Sequence, residues 1–185
     1  MITELNTTIL SPARRPIPVQ NDCDISEVDN VEFVFYKPSV KKFAEGRGKV
    51  FLTDLRLIVV AEHPTDTFKT LSLPLTSLNS IEREEPRLLN ANVARIILDD
   101  IRPSPNSGLG EYPMKLELRG PKADKQAFQI FGAHLLKAHE RAVAKSRTME
   151  DEFDLPTYGA SSASSSSTTY ITADVPSDAP PGYEP

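Results

Sequence analysis

Pro180-Pro181-Gly182-Tyr183 stands near the end of the chain, in a Ser-rich, acidic segment. Adjacent prolines hold the backbone in a polyproline II ridge that needs little further ordering, and such ridges dock into aromatic-lined grooves of the kind WW domains carry. A tyrosine two positions on can fill a neighbouring pocket, and Gly182 lets the chain bend towards it. Leu155-Pro156-Thr157-Tyr158 resembles the leucine variant of the same ligand, with a shorter ridge. The segment from Met149 holds five prolines and three tyrosines, a composition from which such strings also arise by chance. Tyr158 and Tyr183 are 25 residues apart, and a flexible coil of that length spans roughly 25–30 Å. Two WW domains on one partner could therefore be bridged, raising avidity without new contacts.

Lys37, Lys41, Lys42, Arg47 and Lys49 form a basic cluster opposed only by Glu45. Several cations in one loop would favour a polyanion such as a phosphoinositide headgroup. A solvated hairpin loop accounts for the same residues and is the plainer reading. His134 and His139 are five apart, off the common helix face that a metal pair needs, and His63 sits in a Pro-containing turn. Asp99 and Asp100 are expected on opposite strand faces, which argues against a catalytic dyad. No Gly-rich phosphate loop or nucleophile elbow occurs. The expectation is a protein without catalytic residues, metal or cofactor. Thr148 precedes Glu150, Asp151 and Glu152, a pattern that resembles an acidophilic-kinase site and that solubility also explains.

The formal charge of −5 is unevenly placed. Residues 148–185 hold seven of the 26 acidic side chains and no Lys or Arg, leaving 21 basic against 19 acidic groups before them. The folded part is thus near neutral, which excludes the dominant basic face of a nucleic-acid binder. A single cysteine, Cys23, excludes an internal disulfide and a cysteine-rich zinc site. The N-terminus lacks a basic region followed by an apolar run, and no stretch is long and apolar enough to span a bilayer. A cytoplasmic or nuclear protein is expected, with any membrane contact peripheral.

These residues need a scaffold. Residues 1–29, with Pro12, Pro16 and Pro18, read as an extended arm. Short apolar runs then alternate with turn residues, at 31–36, 49–53, 56–61, 71–75, around Ile81, at 95–101 and at 114–118. They predict about seven strands. One helix follows, with Pro121 in its first turn and Phe128, Phe131, Leu135, Ala138 and Ala142 in one apolar stripe. Lys137, Arg141, Lys145 and Arg147 load its predicted C-terminal end, where cations favour the dipole. Residues 30–147 are enough to fold alone. Residues 148–185, nearly all serine from Ser161 to Ser167, are expected to be disordered, because they cannot bury enough apolar surface to offset ordering entropy.

Seven strands and one capping helix resemble the pleckstrin-homology superfold. Gly48-Lys49-Val50-Phe51-Leu52-Thr53-Asp54-Leu55-Arg56, followed by apolar residues, resembles the signature of GRAM domains, and Leu73 to Ile81 resembles that family's fourth strand and turn. The resemblance implies an α+β fold: a pleckstrin-homology-like (GRAM) β-sandwich or barrel with one C-terminal helix. Combined with the tail, it is similar to the WW domain-binding protein 2 family, with one full PPxY string where that family has several. It implies a non-enzymatic adaptor that recruits WW-domain proteins, including HECT-type ubiquitin ligases. Two other functions stay open. One is a peripheral phosphoinositide-binding protein using Lys37, Lys41, Lys42, Arg47 and Lys49; the other is a WW-dependent transcriptional co-activator.

Overall fold

The computed structural model describes residues 3–19, 22–84, 94–103, 109, 113–121 and 123–153. Both strings expected to act as WW ligands, Leu155, Pro156 and Tyr158 as well as Pro180, Pro181 and Tyr183, lie outside the described residues.

One sheet of eight strands organises the domain: β1 (Glu4–Leu5), β2 (Asp24–Lys37), β3 (Val40–Thr53), β4 (Arg56–Ala61), β5 (Thr70–Pro74), β6 (Ser80–Glu84), β7 (Arg95–Ile101) and β8 (Met114–Arg119). The spatial order is β1-β5-β4-β3-β2-β8-β7-β6, and every pairing is antiparallel. The seven predicted strands are present, and β1 is an added two-residue edge strand on β5. β2 and β3 are longer than their apolar runs implied, 14 residues each. Of the four register shifts in the described ladders, two bend their strand through a left-handed residue. One falls between Val28 and Val31 of β2, the other between Leu98 and Ile101 of β7. Each carries an Asn or Asp in the left-handed region, Asn30 at φ 55° and Asp100 at φ 58°. Short polar side chains tolerate that conformation best among residues with a Cβ.

The inner face of the sheet follows the period-two pattern. Met114, Leu116 and Leu118 of β8 point into the core, with Phe33 and Phe35 of β2 and Leu57 and Val59 of β4. Helix α1 (Lys125–Phe153) lays Phe128, Phe131, Leu135 and Ala138 on that core, with Ala142 at its margin. The helix starts later than Pro121 implied. Asp124 caps it, its carboxylate accepting the Ala127 amide at 3.1 Å, a favoured N-cap arrangement. It also runs beyond Arg147, so that Glu150, Asp151 and Glu152 occupy its last turn, not the predicted cations.

The N-terminal arm is built into the domain. Leu10 packs on Phe51, Ile58 and Val60, on the outer face of β3 and β4. The Arg14 guanidinium donates to the carbonyls of Ala61 and Glu62, and Arg15 pairs with Glu27 of β2. The carboxamide oxygen of Asn6 accepts the Thr70 amide at 3.1 Å. All six β4 residues are buried, because the core covers one face and this strap the other.

Candidate functional site

The basic cluster lies along a hairpin, not in a loop. β2 and β3 are joined by Pro38 and Ser39 alone, with Lys37 paired to Val40. Lys37 and Lys42 lie near the tip, whereas Arg47 and Lys49 lie well down β3. The seven steps from Lys42 to Lys49 span about 23 Å of strand, so the five positions do not surround one headgroup. The Lys37 ammonium sits 3.9 Å over the Phe43 ring. Lys42 pairs with Glu45 at 2.5 Å, Arg47 with Glu32 at 2.9 Å and Lys49 with Asp29 at 2.9 Å. The side chain of Lys41 lies outside the described residues. Glu45 was the one counter-charge visible in the linear sequence. Glu32 and Asp29 come from the facing strand, where pairing brings them within reach. Val40 stands half exposed at the tip.

The arginine–glutamate pair at Arg47 continues across the outer face of the sheet. Arg47 stands opposite Glu32, Glu32 opposite Arg119, Arg119 opposite Arg95, and Arg95 opposite Glu84. Two like charges directly opposite one another destabilise a ladder. Glu117, one row away, resolves the conflict at Arg119 and Arg95: it accepts from Arg119 at 3.0 Å and lies 3.8 Å from Arg95. The Tyr36 hydroxyl adds a 3.3 Å hydrogen bond to it. Burial pushes the Glu117 carboxyl up, but the Arg119 hydrogen bond, the Arg119 and Arg95 charges and the Tyr36 hydroxyl outweigh it, holding it below its ordinary value. The Glu117 hydrogen bond in turn raises Arg119, against the opposing effect of burial. Lys115 pairs with Asp99 at 3.3 Å, while Asp100 accepts from the side-chain amide of Asn79 at 2.7 Å. The two neighbouring carboxylates therefore serve separate partners.

The segment from Gly48 to Arg56 has a structural account. A Cβ on Gly48 would lie 2.1 Å from the Val60 carbonyl oxygen, so only glycine admits β4 at this distance. Phe51 faces the strap and Leu52 the core. The Thr53 hydroxyl donates to the Arg56 carbonyl and accepts the Arg56 amide, both at 3.0 Å, closing the β3–β4 turn. Arg56 then pairs with Asp22 at 2.8 Å, in a bond with both side chains buried. Asp22 was not legible as its partner: the two are 34 positions apart, with no repeating pattern to link them.

His139 lies with Nε2 2.9 Å from the Leu78 carbonyl oxygen, tying α1 to the turn before β6. His134 is half-buried on the same helix, and His63 is exposed. Among the described residues no three His, Cys, Asp or Glu side chains converge as a metal site would require. Between strap and sheet, Arg14, Asn30, Gly48, Lys49 and Glu62 line a cleft of about 150 Å³, below the range of small-molecule sites. No helix among the described residues is long and apolar enough to cross a membrane.

An antiparallel sheet closed by a C-terminal helix is the pleckstrin-homology-like architecture. The Vps36 N-terminal PH domain matches it with a TM-score of 0.52 at 21% identity, over 78% of this chain and 95% of that one. A chain of the 8S snRNP assembly intermediate aligns at a TM-score of 0.39 and 15% identity, over 69% of this chain and 87% of its own. No protein-family model and no curated protein matches the sequence. The Vps36 likeness establishes the fold.

Proposed function

We propose that this protein is a non-enzymatic adaptor of the WW domain-binding protein 2 type. Its pleckstrin-homology-like domain docks on a partner or membrane, and its tail is read by WW-domain proteins, HECT-type ubiquitin ligases foremost. The observation that carries the reading is Pro180-Pro181-Gly182-Tyr183 in an acidic segment without Lys or Arg. Di-proline ridge and aromatic tip are the two elements a WW groove recognises. Leu155-Pro156-Thr157-Tyr158 supplies a second, weaker ligand, and the adaptor acts in the cytoplasm or nucleus. Tyr183→Ala should abolish most binding to an array of WW domains, and Tyr158→Ala should weaken it less. Undiminished capture of the Tyr183→Ala chain would overturn the proposal.

The alternative of phosphoinositide binding rests on Lys37, Lys41 and Lys42 at the hairpin tip beside exposed Val40. The counter-charges on Lys42, Arg47 and Lys49 weigh against it. Liposome sedimentation with and without phosphoinositide separates the two readings: equal pelleting removes the lipid one.

A further inference from the structure

Two Ser or Thr residues in the chain have an acidic residue three positions on, Ser26 with Asp29 and Thr148 with Asp151. Ser26 is half-buried within β2, paired opposite Leu52. Thr148 is exposed in the last turns of α1. The same spacing is also a helix-capping signature, but α1 begins at Lys125 and Thr148 lies inside it, so capping does not explain the pattern. Helix stability does not explain it either. Glu150, Asp151 and Glu152 fall in the last turn, which holds no basic residue, and negative charge there opposes the macrodipole.

We propose that Thr148 is a phosphorylation site for an acidophilic protein kinase, and that its phosphate unwinds the end of α1. In the transfer, the threonine Oγ attacks the γ-phosphorus of a nucleoside triphosphate. The Oγ–P bond forms as the bond to the β,γ-bridging oxygen breaks. The nucleoside diphosphate leaves with the electron pair, and the hydroxyl proton goes to the kinase's carboxylate base. Before transfer the Thr148 hydroxyl donates to the carbonyls of Ala144 and Lys145, at 3.2 and 3.0 Å. The phosphate ester has no such proton and brings a charge of about −1.5 to −2. It lands near the negative end of the helix, two to four positions before Glu150, Asp151 and Glu152 in the sequence. Lys145, a turn back, offers the phosphate a counter-ion, so the helix holds up to Thr148 while the turn beyond it is repelled. Helix ends open at little cost, which lets the kinase take Thr148 in extended form.

The consequence for function rests on the tail reading, because Leu155 follows the last helical residue, Phe153, by two positions. The modification itself is tested without any WW domain, so the two proposals fail separately. The full chain is incubated with a purified acidophilic Ser/Thr kinase and magnesium ATP, then followed by intact mass, peptide sequencing and amide hydrogen exchange. The expected result is one phosphate on Thr148, lost in Thr148→Val. In Asp151→Asn it should be acquired roughly tenfold more slowly, the effect of one lost charge-assisted contact. Amides 149–153 should exchange faster in the phosphorylated chain while those of 128–138 are unchanged. Phosphate placed elsewhere with Thr148 unmodified, or a phosphorylated Thr148 with unchanged exchange at 149–153, would overturn the proposal.

Discussion

Asp22 and Arg56 form the clearest test of a single interaction. Each side chain is nearly excluded from water, at 0% and 10% exposure, and one Asp22 oxygen has no hydrogen-bond partner among the described residues. Charges so placed gain from each other what they lost on leaving water, so the single and double changes should differ in size. Arg56→Met leaves a buried carboxylate alone and should cost about 3–5 kcal/mol, whereas Asp22→Leu with Arg56→Met should cost clearly less. Urea titration of the four proteins measures the coupling; additive losses would show the pair to be incidental. Gly48 is the steric counterpart. Gly48→Ala forces its new methyl against backbone, which cannot rotate away, and about 3 kcal/mol should be lost. The expected signature is a lower denaturation midpoint at unchanged slope. Gly48 and Arg56 both belong to the segment that resembles a GRAM signature, and both act there as framework.

At the scale of elements, the strands were legible because alternation survives wherever one face is buried. Met114, Leu116 and Leu118 announce β8 and its inward face, and the spacing of Phe128, Phe131 and Leu135 announces α1. What the sequence concealed were pairings. The extension of β2 back to Asp24 runs through Asp29 and Asn30, a polar bulge that breaks alternation. Asp29, the partner of Lys49, lies on that extension, and Glu32, the partner of Arg47, is brought opposite it only by the strand register, so the basic cluster looked freer than it is. The charged row across the outer sheet is likewise invisible until register is known, and it gives the sheet a pH dependence. The folded Glu117 carboxyl titrates below its ordinary 4.5. Its contribution is therefore complete above that value and is lost as pH falls through the folded value. Glu117→Gln should destabilise the domain near neutral pH, leaving Arg119 and Arg95 opposed, and the gap to wild type should close as the pH falls below 4.5 and through the lowered folded value. Thermal midpoints of the two proteins across that range check it; a constant gap would place the stabilisation in packing.

For the molecule as a whole, composition sets the acidic, Ser-rich residues 148–185 apart, but α1 continues through that boundary to Phe153, and the role of the first residues was not legible. An arm with three prolines reads as extended, with no partner for it visible in the sequence; in the fold Leu10 closes a second small apolar cluster and Arg14 clasps the end of β4. The distinction predicts opposite results from trimming the two ends. Removing residues 1–19 uncovers Phe51, Ile58 and Val60 and strips β1 from the edge of β5. The shortened protein should lose several degrees of melting temperature, as expected when a few kcal/mol of burial disappear, and should associate through the exposed strand face. Removing residues 155–185 leaves in the chain every described member of the main core, which run from Val28 to Ala138. Its melting temperature should match that of the full chain while WW capture is lost. The pair of truncations, read by calorimetry and by pull-down, separates stability from recognition. A tail deletion that lowered the melting temperature would mean that residues 155–185 contribute to the folded core, and loss of WW capture on that deletion would then no longer report on the ligand strings alone.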